Sequence, residues 1–204
     1  MFICDSQVHI WGEETSDRPW TPGGRELVRD MGHRPEPIGY EELRGLMDEA
    51  GVDRALIVPP TWDMDRNDLG LEATIKYPNR FGLISRVPLR EPEAGKILLR
   101  ELADEPAAKG VRLTFFRKEE ATWLFDGTAD WYWPIAQELQ VPTMIHAAKF
   151  SPQVAEIAEK FPDLNLILDH MGVPGGTKDE SCRPYVDATA SLANFPNISV
   201  KLSS

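Results

Sequence analysis

The chain has 204 residues, 42% hydrophobic and 27% charged, which is enough apolar side chain to bury a sizeable core and too much for a disordered composition. Its formal net charge of -11 excludes nucleic acid and anionic membrane surfaces as main partners, because both require a basic face. Cys4 and Cys182 are far apart and in no ligand-like spacing, no apolar run approaches the ~18 residues of a membrane span, and Asp5 interrupts any N-terminal signal core, so a cytoplasmic protein with reduced thiols is expected.

Phe2 to Trp11 reads as a first strand. With a period of two, Asp5, Gln7 and His9 share one face, and Cys4, Ser6, Val8 and Ile10 share the other. Three polar side chains in succession suit a face that lines a polar site. Gly12 to Pro37 is a long connection rich in Pro and Gly, a length that marks function or disorder; Trp11 and Trp20 favour an ordered loop that covers something. Tyr40 to Ala50 predicts a helix with Leu43, Leu46 and Met47 on one stripe and Gly51 as its stop. The alternation then continues: strand 52–58, helix 65–77, strand 81–89, and a helix over 93–104 carrying Ile97, Leu98 and Leu102. A strand from Gly110 to Phe116 precedes a helix over 130–139 with Trp131, Ile135 and Leu139 apolar, then strand 141–147, helix 152–161 and strand 164–170. A Gly-rich loop (172–178), a helix near 185–194 and a strand over 198–203 complete the chain.

Seven strands alternating with six helices imply parallel pairing through helical crossovers. An open doubly wound sheet would carry a Gly-rich phosphate turn after the first strand, where His9-Ile10-Trp11-Gly12 stands instead. Gly172 to Gly176 is interrupted by Pro174 and lacks the Lys-Ser/Thr of a phosphate loop. The expected fold is therefore α/β, a TIM-like (β/α)8 barrel forming a single, incomplete domain over residues 1–204. Only seven strands are readable, so the chain is expected to be a portion truncated before strand 8.

In such a barrel the active site lies at the C-terminal ends of the strands. His9, His146 and His170 all fall there, while His33 falls in a loop. Three histidines on one rim point to catalysis or metal binding, since imidazole serves both near neutral pH. Arg112 sits inside an apolar strand on the same face as Thr114 and needs an anionic partner, either a protein carboxylate or a substrate carboxylate held bidentately. Arg86 raises the same question. Arg117 and Lys118 are either a second anchor or a solvated loop end. Lys201, between Ser199 and Ser203, is expected to face the barrel mouth.

The segments Asp5-Ser6-Gln7-Val8-His9-Ile10-Trp11, Lys109-Gly110-Val111-Arg112-Leu113, Val141 to Ala147, Phe161-Pro162-Asp163-Leu164, Leu168-Asp169-His170-Met171-Gly172-Val173-Pro174 and Asn197 to Ser203 together resemble the amidohydrolase-related metal-dependent hydrolases. The resemblance is closest to the branch of sugar lactonases and the pyrone-dicarboxylate lactonase. It implies one divalent metal, Zn or Mn, held here by His9 and His146. It also implies a strand-8 aspartate, which would lie beyond Ser204. Gln7 replaces the first strand-1 histidine, and a neutral amide oxygen is a weak ligand for a transition metal. Two ligands fall short of the three plus water of a catalytic zinc, and the lactonase branch includes members that work without metal.

The resulting expectation is a hydrolase acting on a small carboxylated lactone or related ester-like bond. His9, His146 and His170 are its catalytic residues, and Arg112, Gln7 and Lys201 bind substrate. A metal-dependent non-oxidative decarboxylase of an aromatic acid is the first alternative, and an inactive or ligand-binding barrel fragment the second. The expected partner is a small-molecule carboxylate, and self-association into a homo-oligomer stays open.

Overall fold

Short apolar runs separated by amphipathic helices leave the backbone one way to satisfy its hydrogen bonds, as parallel strands joined by crossovers. The computed structural model describes residues 1–204 except His33, Phe116, Lys118, Glu119 and Ser204. The loop expected at His33, the end of the fourth strand at Phe116 and the anchor at Lys118 therefore lie outside the described residues. Backbone contacts divide the chain into two units, residues 1–86 with 105–109, and residues 87–104 with 110–204. Among the described residues, no helix is long and apolar enough to cross a membrane.

In the first unit, β1 (Cys4–Val8), β2 (Arg54–Ile57) and β3 (Phe81–Ser85) pair in parallel in that order. Leu83 N–H donates to the Ala107 carbonyl at the start of the next strand. The ladder of β1 is irregular: Asp5 lies opposite Ala55, yet Val8 lies opposite Ile57, so one extra residue is accommodated between them. The Asp5 carboxylate accepts the Gln7 N–H (3.0 Å), a local turn that competes with the ladder. The simple alternation that would put Asp5 on the face of Gln7 and His9 is thereby broken, and Asp5 is exposed. The helices of this unit are α1 (Gly24–Met31), α2 (Tyr40–Ala50) and α3 (Asp68–Lys76). The first of them falls within the stretch read from sequence as irregular. In α2, Leu43 and Met47 are buried one turn apart, Leu46 points outward, and Gly51 closes the helix in the left-handed conformation (φ 71°).

In the second unit, β4 (Ala108–Thr114) from Gly110 onward, β5 (Thr143–His146), β6 (Leu166–Leu168) and β7 (Ile198–Val200) are parallel neighbours. Their helices are α4 (Pro92–Asp104), α5 (Tyr132–Glu138), α6 (Ser151–Lys160) and α7 (Arg183–Ala190). The buried stripe of α4 is Gly95, Leu99 and Leu102, an i, i+4, i+7 pattern that leaves Ile97 exposed. In α5 the buried positions are Tyr132, Trp133 and Ala136 rather than the expected 131, 135 and 139. A Cβ on Gly95 would stand 2.6 Å from the Trp131 ring, so its absence lets the two helices approach.

Asn197 ties this unit together. Its side-chain amide lies within hydrogen-bond distance of the carbonyls of Ala158 (3.2 Å), Phe161 (3.1 Å) and Leu164 (3.1 Å); the Ala158 carbonyl lies in the last turn of α6, where Pro162 has no N–H to offer it. Its own carbonyl accepts the Leu166 N–H. Asn197→Ala is expected to destabilise the protein by about 1–3 kcal/mol, the cost of leaving partly buried carbonyls unpaired. Urea unfolding with an unchanged m-value and midpoint would show the clip to be dispensable.

Candidate functional site

The described site residues fall in both units. In the second, strand register does the positioning. Arg112 lies opposite Met144 and Thr114 opposite His146, so the Arg112 side chain reaches the His146 ring from one step back along β4. Arg112 Nε–H donates to Asp169 Oδ2 at 2.7 Å, and its Nη2 lies 3.2 Å from His146 Nδ1. Lys201 Nζ donates to the other oxygen, Asp169 Oδ1, at 3.0 Å, and also lies 3.5 Å from Met144 Sδ. Arg112, His146 and Asp169 are all buried, and the Lys201 side chain is 9% exposed. The anionic partner that Arg112 required is thus the protein's own Asp169.

Asp169 itself was not singled out from the sequence. It follows the last residue of β6 directly, and the signal that could have found it is an acidic residue at a strand end beside His170, two strands from a buried arginine. Burial pushes the Asp169 carboxyl up, but the charges of Arg112 and Lys201 and the hydrogen bonds from both carry it below the ordinary carboxylate range. His170 comes next, with its Nδ1 3.0 Å from Ser203 Oγ and its ring edge-on to His146 at 5.2 Å. Burial pulls His170 below the usual imidazole range against the attraction of Asp169, and Arg112 and Lys201 push the same way as burial. The backbone bends sharply here: His170 (φ 51°) and Met171 (φ 54°) are both left-handed, a conformation that non-glycine residues adopt at a cost of about 1–3 kcal/mol each when the surroundings impose it.

In the first unit, His9 follows β1, and its Nδ1 lies 2.6 Å from the Val58 carbonyl. A carbonyl can only accept, so Nδ1 carries the proton and Nε2 bears the lone pair, 3.5 Å from the Gln7 amide nitrogen. His146 is the reverse. A guanidinium can only donate, so His146 Nδ1 accepts and its Nε2 is an N–H donor. Around His9 stand Trp62, edge-on at 6.2 Å, and Trp11, edge-on to Trp62 at 5.3 Å. Next to Trp62 in sequence, Asp63 is buried and receives Arg18 Nη1 at 2.6 Å. Arg86 is buried at the end of β3, with Asp65 3.8 Å away.

These donors do not fit a divalent cation. A metal ligand must offer a lone pair, and the one His146 holds at Nδ1 is taken by Arg112. A dication at Asp169 would meet a guanidinium and an ammonium already on that carboxylate. Gln7 stands beside His9 where a second imidazole would be wanted. Among the described residues, no group of three or more His, Cys, Asp or Glu is placed to hold a metal ion.

Two outcomes follow from this geometry. Asp169→Ala leaves two buried cations without their anion and is expected to cost about 3–5 kcal/mol of stability, read by chemical denaturation. His170 is held below its unfolded value, so the unfolded state takes up its proton first; its contribution is whole above about pH 6.5 and is lost as pH falls from there. Asp169 adds a second loss only below about pH 4. Thermal melting should therefore drop as pH falls below about 6.5, and His170→Gln should remove that drop.

The Amidohydrolase family model matches residues 4–204. The chain is 24% identical over 210 residues to the L-fucono-1,5-lactonase of Burkholderia ambifaria, across 99% of this chain and 67% of that protein. It is 26% identical over 205 residues to the 4-sulfomuconolactone hydrolase of Hydrogenophaga intermedia, across 98% of this chain and 61% of that protein. The chain thus spans less than two thirds of the latter's length. Among solved structures it is similar to an amidohydrolase from Burkholderia multivorans with bound zinc, at a TM-score of 0.75 and 19% identity, across 100% of this chain and 70% of that one. The likeness is one of fold and agrees with the TIM-like α/β architecture expected from the strand pattern. With its match running from the first strand to the last residue, the chain belongs to the amidohydrolase family.

Proposed function

We propose that the protein hydrolyses a small carboxylated lactone. The observation that carries this reading is the buried cluster at the ends of β4 to β7, where two cations, Arg112 and Lys201, share one carboxylate, Asp169. Burial favours neutral His170, and the bond from Arg112 to His146 Nδ1 makes His146 Nε2 an N–H donor. Two cations converging on the buried ends of neighbouring strands suit a substrate carboxylate or the oxyanion formed as a lactone carbonyl is attacked. The names of the two lactone-hydrolysing relatives support the same reaction class.

In this reading His146 Nε2–H donates to the lactone carbonyl oxygen and strengthens its bond as negative charge develops there. Arg112 places its remaining N–H donors on the substrate carboxylate, with Lys201 and Asp169 holding the guanidinium in plane. Water adds to the carbonyl carbon and gives its proton to a base, the ring C–O bond breaks, and the base returns that proton so that the ring oxygen leaves as a hydroxyl. Within the first unit, His9 carries its proton on Nδ1 and has the Gln7 amide beside Nε2, the tautomer of a general base. The positive charge comes from side chains, so turnover is proposed to need no metal. Decarboxylation of an aromatic acid, the alternative expectation, relies on a divalent ion, which the donors around His146 and Asp169 do not fit. A cytoplasmic setting, with Cys4 and Cys182 as free thiols, belongs to the same proposal.

The test is turnover by the full-length protein of a carboxylated lactone beside a neutral sugar lactone. His146→Ala should lower kcat by about 10²–10³-fold on both. Arg112→Met should raise KM for the carboxylated lactone far more than for the neutral one; an equal effect on both would remove the carboxylate clamp. Exhaustive chelation should leave the rate unchanged, whereas loss on chelation with recovery on adding zinc would overturn the metal-free reading.

A further inference from the structure

In the first unit His9 has the tautomer of a general base, and the residues that hold its ring extend into the connection after β1. Thr21 N–H donates to the Trp62 carbonyl (2.9 Å), and Trp20 Nε1–H donates to the Gly12 carbonyl (3.2 Å). Between them, Arg18 spans two carboxylates: Nη1 meets Asp63 at 2.6 Å, and Nη2 meets Asp68 at the start of α3. Asp63 is the more telling partner, with its side chain 3% exposed against 57% for Asp68. A carboxylate so buried requires its cation. The chain is shaped to let the arginine in, because a Cβ on Gly12 would stand 2.9 Å from Arg18 Cδ.

Asp63 ends a short 3-10 turn, Thr61–Asp63, and the next residue, Met64, has φ 60° and ψ -150°. That region is almost exclusive to glycine, so something outside the turn must hold it there. Trp62 lies inside the same turn. Its backbone is gripped by Thr21, its neighbour Asp63 by Arg18, and its indole is sandwiched edge-on between Trp11 (5.3 Å) and His9 (6.2 Å). His9 has its ring anchored at one nitrogen by Val58 and its flank set by Trp62.

We propose that Arg18 is a positioning residue for His9: by pinning Asp63 it fixes Trp62 against the imidazole, keeping Nδ1–H on the Val58 carbonyl and the Nε2 lone pair turned toward Gln7. The catalytic consequence rests on the lactonase reading, but the placement of the ring does not. Arg18 touches no reacting atom in this scheme, so its effect passes entirely through Trp62. Mere stabilisation of the loop would leave the state of the His9 ring unchanged.

The experiment is a long-range 1H–15N correlation spectrum of the full-length protein at neutral pH, with His9 assigned from His9→Gln. Wild type should show His9 protonated at Nδ1, and His146, protonated at Nε2, serves as an internal control. In Arg18→Met the His9 signals should move to a mixture of tautomers while those of His146 stay. Gly12→Ala, which displaces Arg18 without removing any charge, should move His9 in the same direction. Arg18→Lys keeps the cation but cannot span both carboxylates and should shift His9 partway; it decides the matter if Arg18→Met fails to fold. Kinetically, kcat should fall roughly 10- to 100-fold, as for a small misplacement of a reacting group, with KM within about twofold. A His9 tautomer unchanged in folded Arg18 variants would overturn the proposal. The spectrum needs no substrate, so a wild-type protein without lactone turnover would count against the hydrolase reading alone and leave the role of Arg18 to be decided by the ring.

Discussion

The Asp169 carboxylate, held on one oxygen by Arg112 and on the other by Lys201, is the interaction from which the second unit's chemistry follows. Removing a carboxylate from water costs several kcal/mol after relaxation, and only close opposite charge with good hydrogen bonds offsets it. The strand ends supply that charge: β4 brings Arg112, and Lys201 arrives one residue beyond β7, with its N–H on the Leu168 carbonyl. The strained backbone lies beside this carboxylate: His170 and Met171, the two residues after Asp169, both take the left-handed conformation.

Neighbouring groups then lose their freedom of protonation. His146 accepts from Arg112 and becomes a donor at Nε2, while burial and the two nearby cations push His170 toward its neutral form against Asp169. In the first unit the Val58 carbonyl does the opposite to His9, leaving its Nε2 as an acceptor. Two histidines that look equivalent in a sequence are therefore an acid-like and a base-like group, separated by what each meets at Nδ1.

The errors made from sequence share one cause: they concern which side of an element faces inward. Ile97 and Leu46 are apolar and were read as core, yet both are exposed, because a neighbouring helix and sheet select Gly95, Leu99 and Leu102 in α4 and Leu43 and Met47 in α2. Asp5 was grouped with Gln7 and His9 until a single inserted residue in β1, stabilised by its own carboxylate, reset the alternation. A short helix, Gly24–Met31, lay hidden in a stretch dominated by Pro and Gly punctuation. None of these depends on propensity alone, so none is visible in a linear pattern.

The sequence by itself determined the alternation of strands and helices, their parallel pairing, the family and the placement of Arg112, His146 and Lys201 at or near strand ends. These follow from local hydrophobic periodicity and short signature segments, which survive without knowledge of neighbours. Only the tertiary structure decided that Arg112 meets Asp169, fifty-seven positions away, that His9 and His146 are opposite tautomers, and that Arg18 grips Asp63. Those facts depend on which groups face one another once the strands are in register, because a buried charge or an imidazole proton is assigned by its partner and not by its own identity.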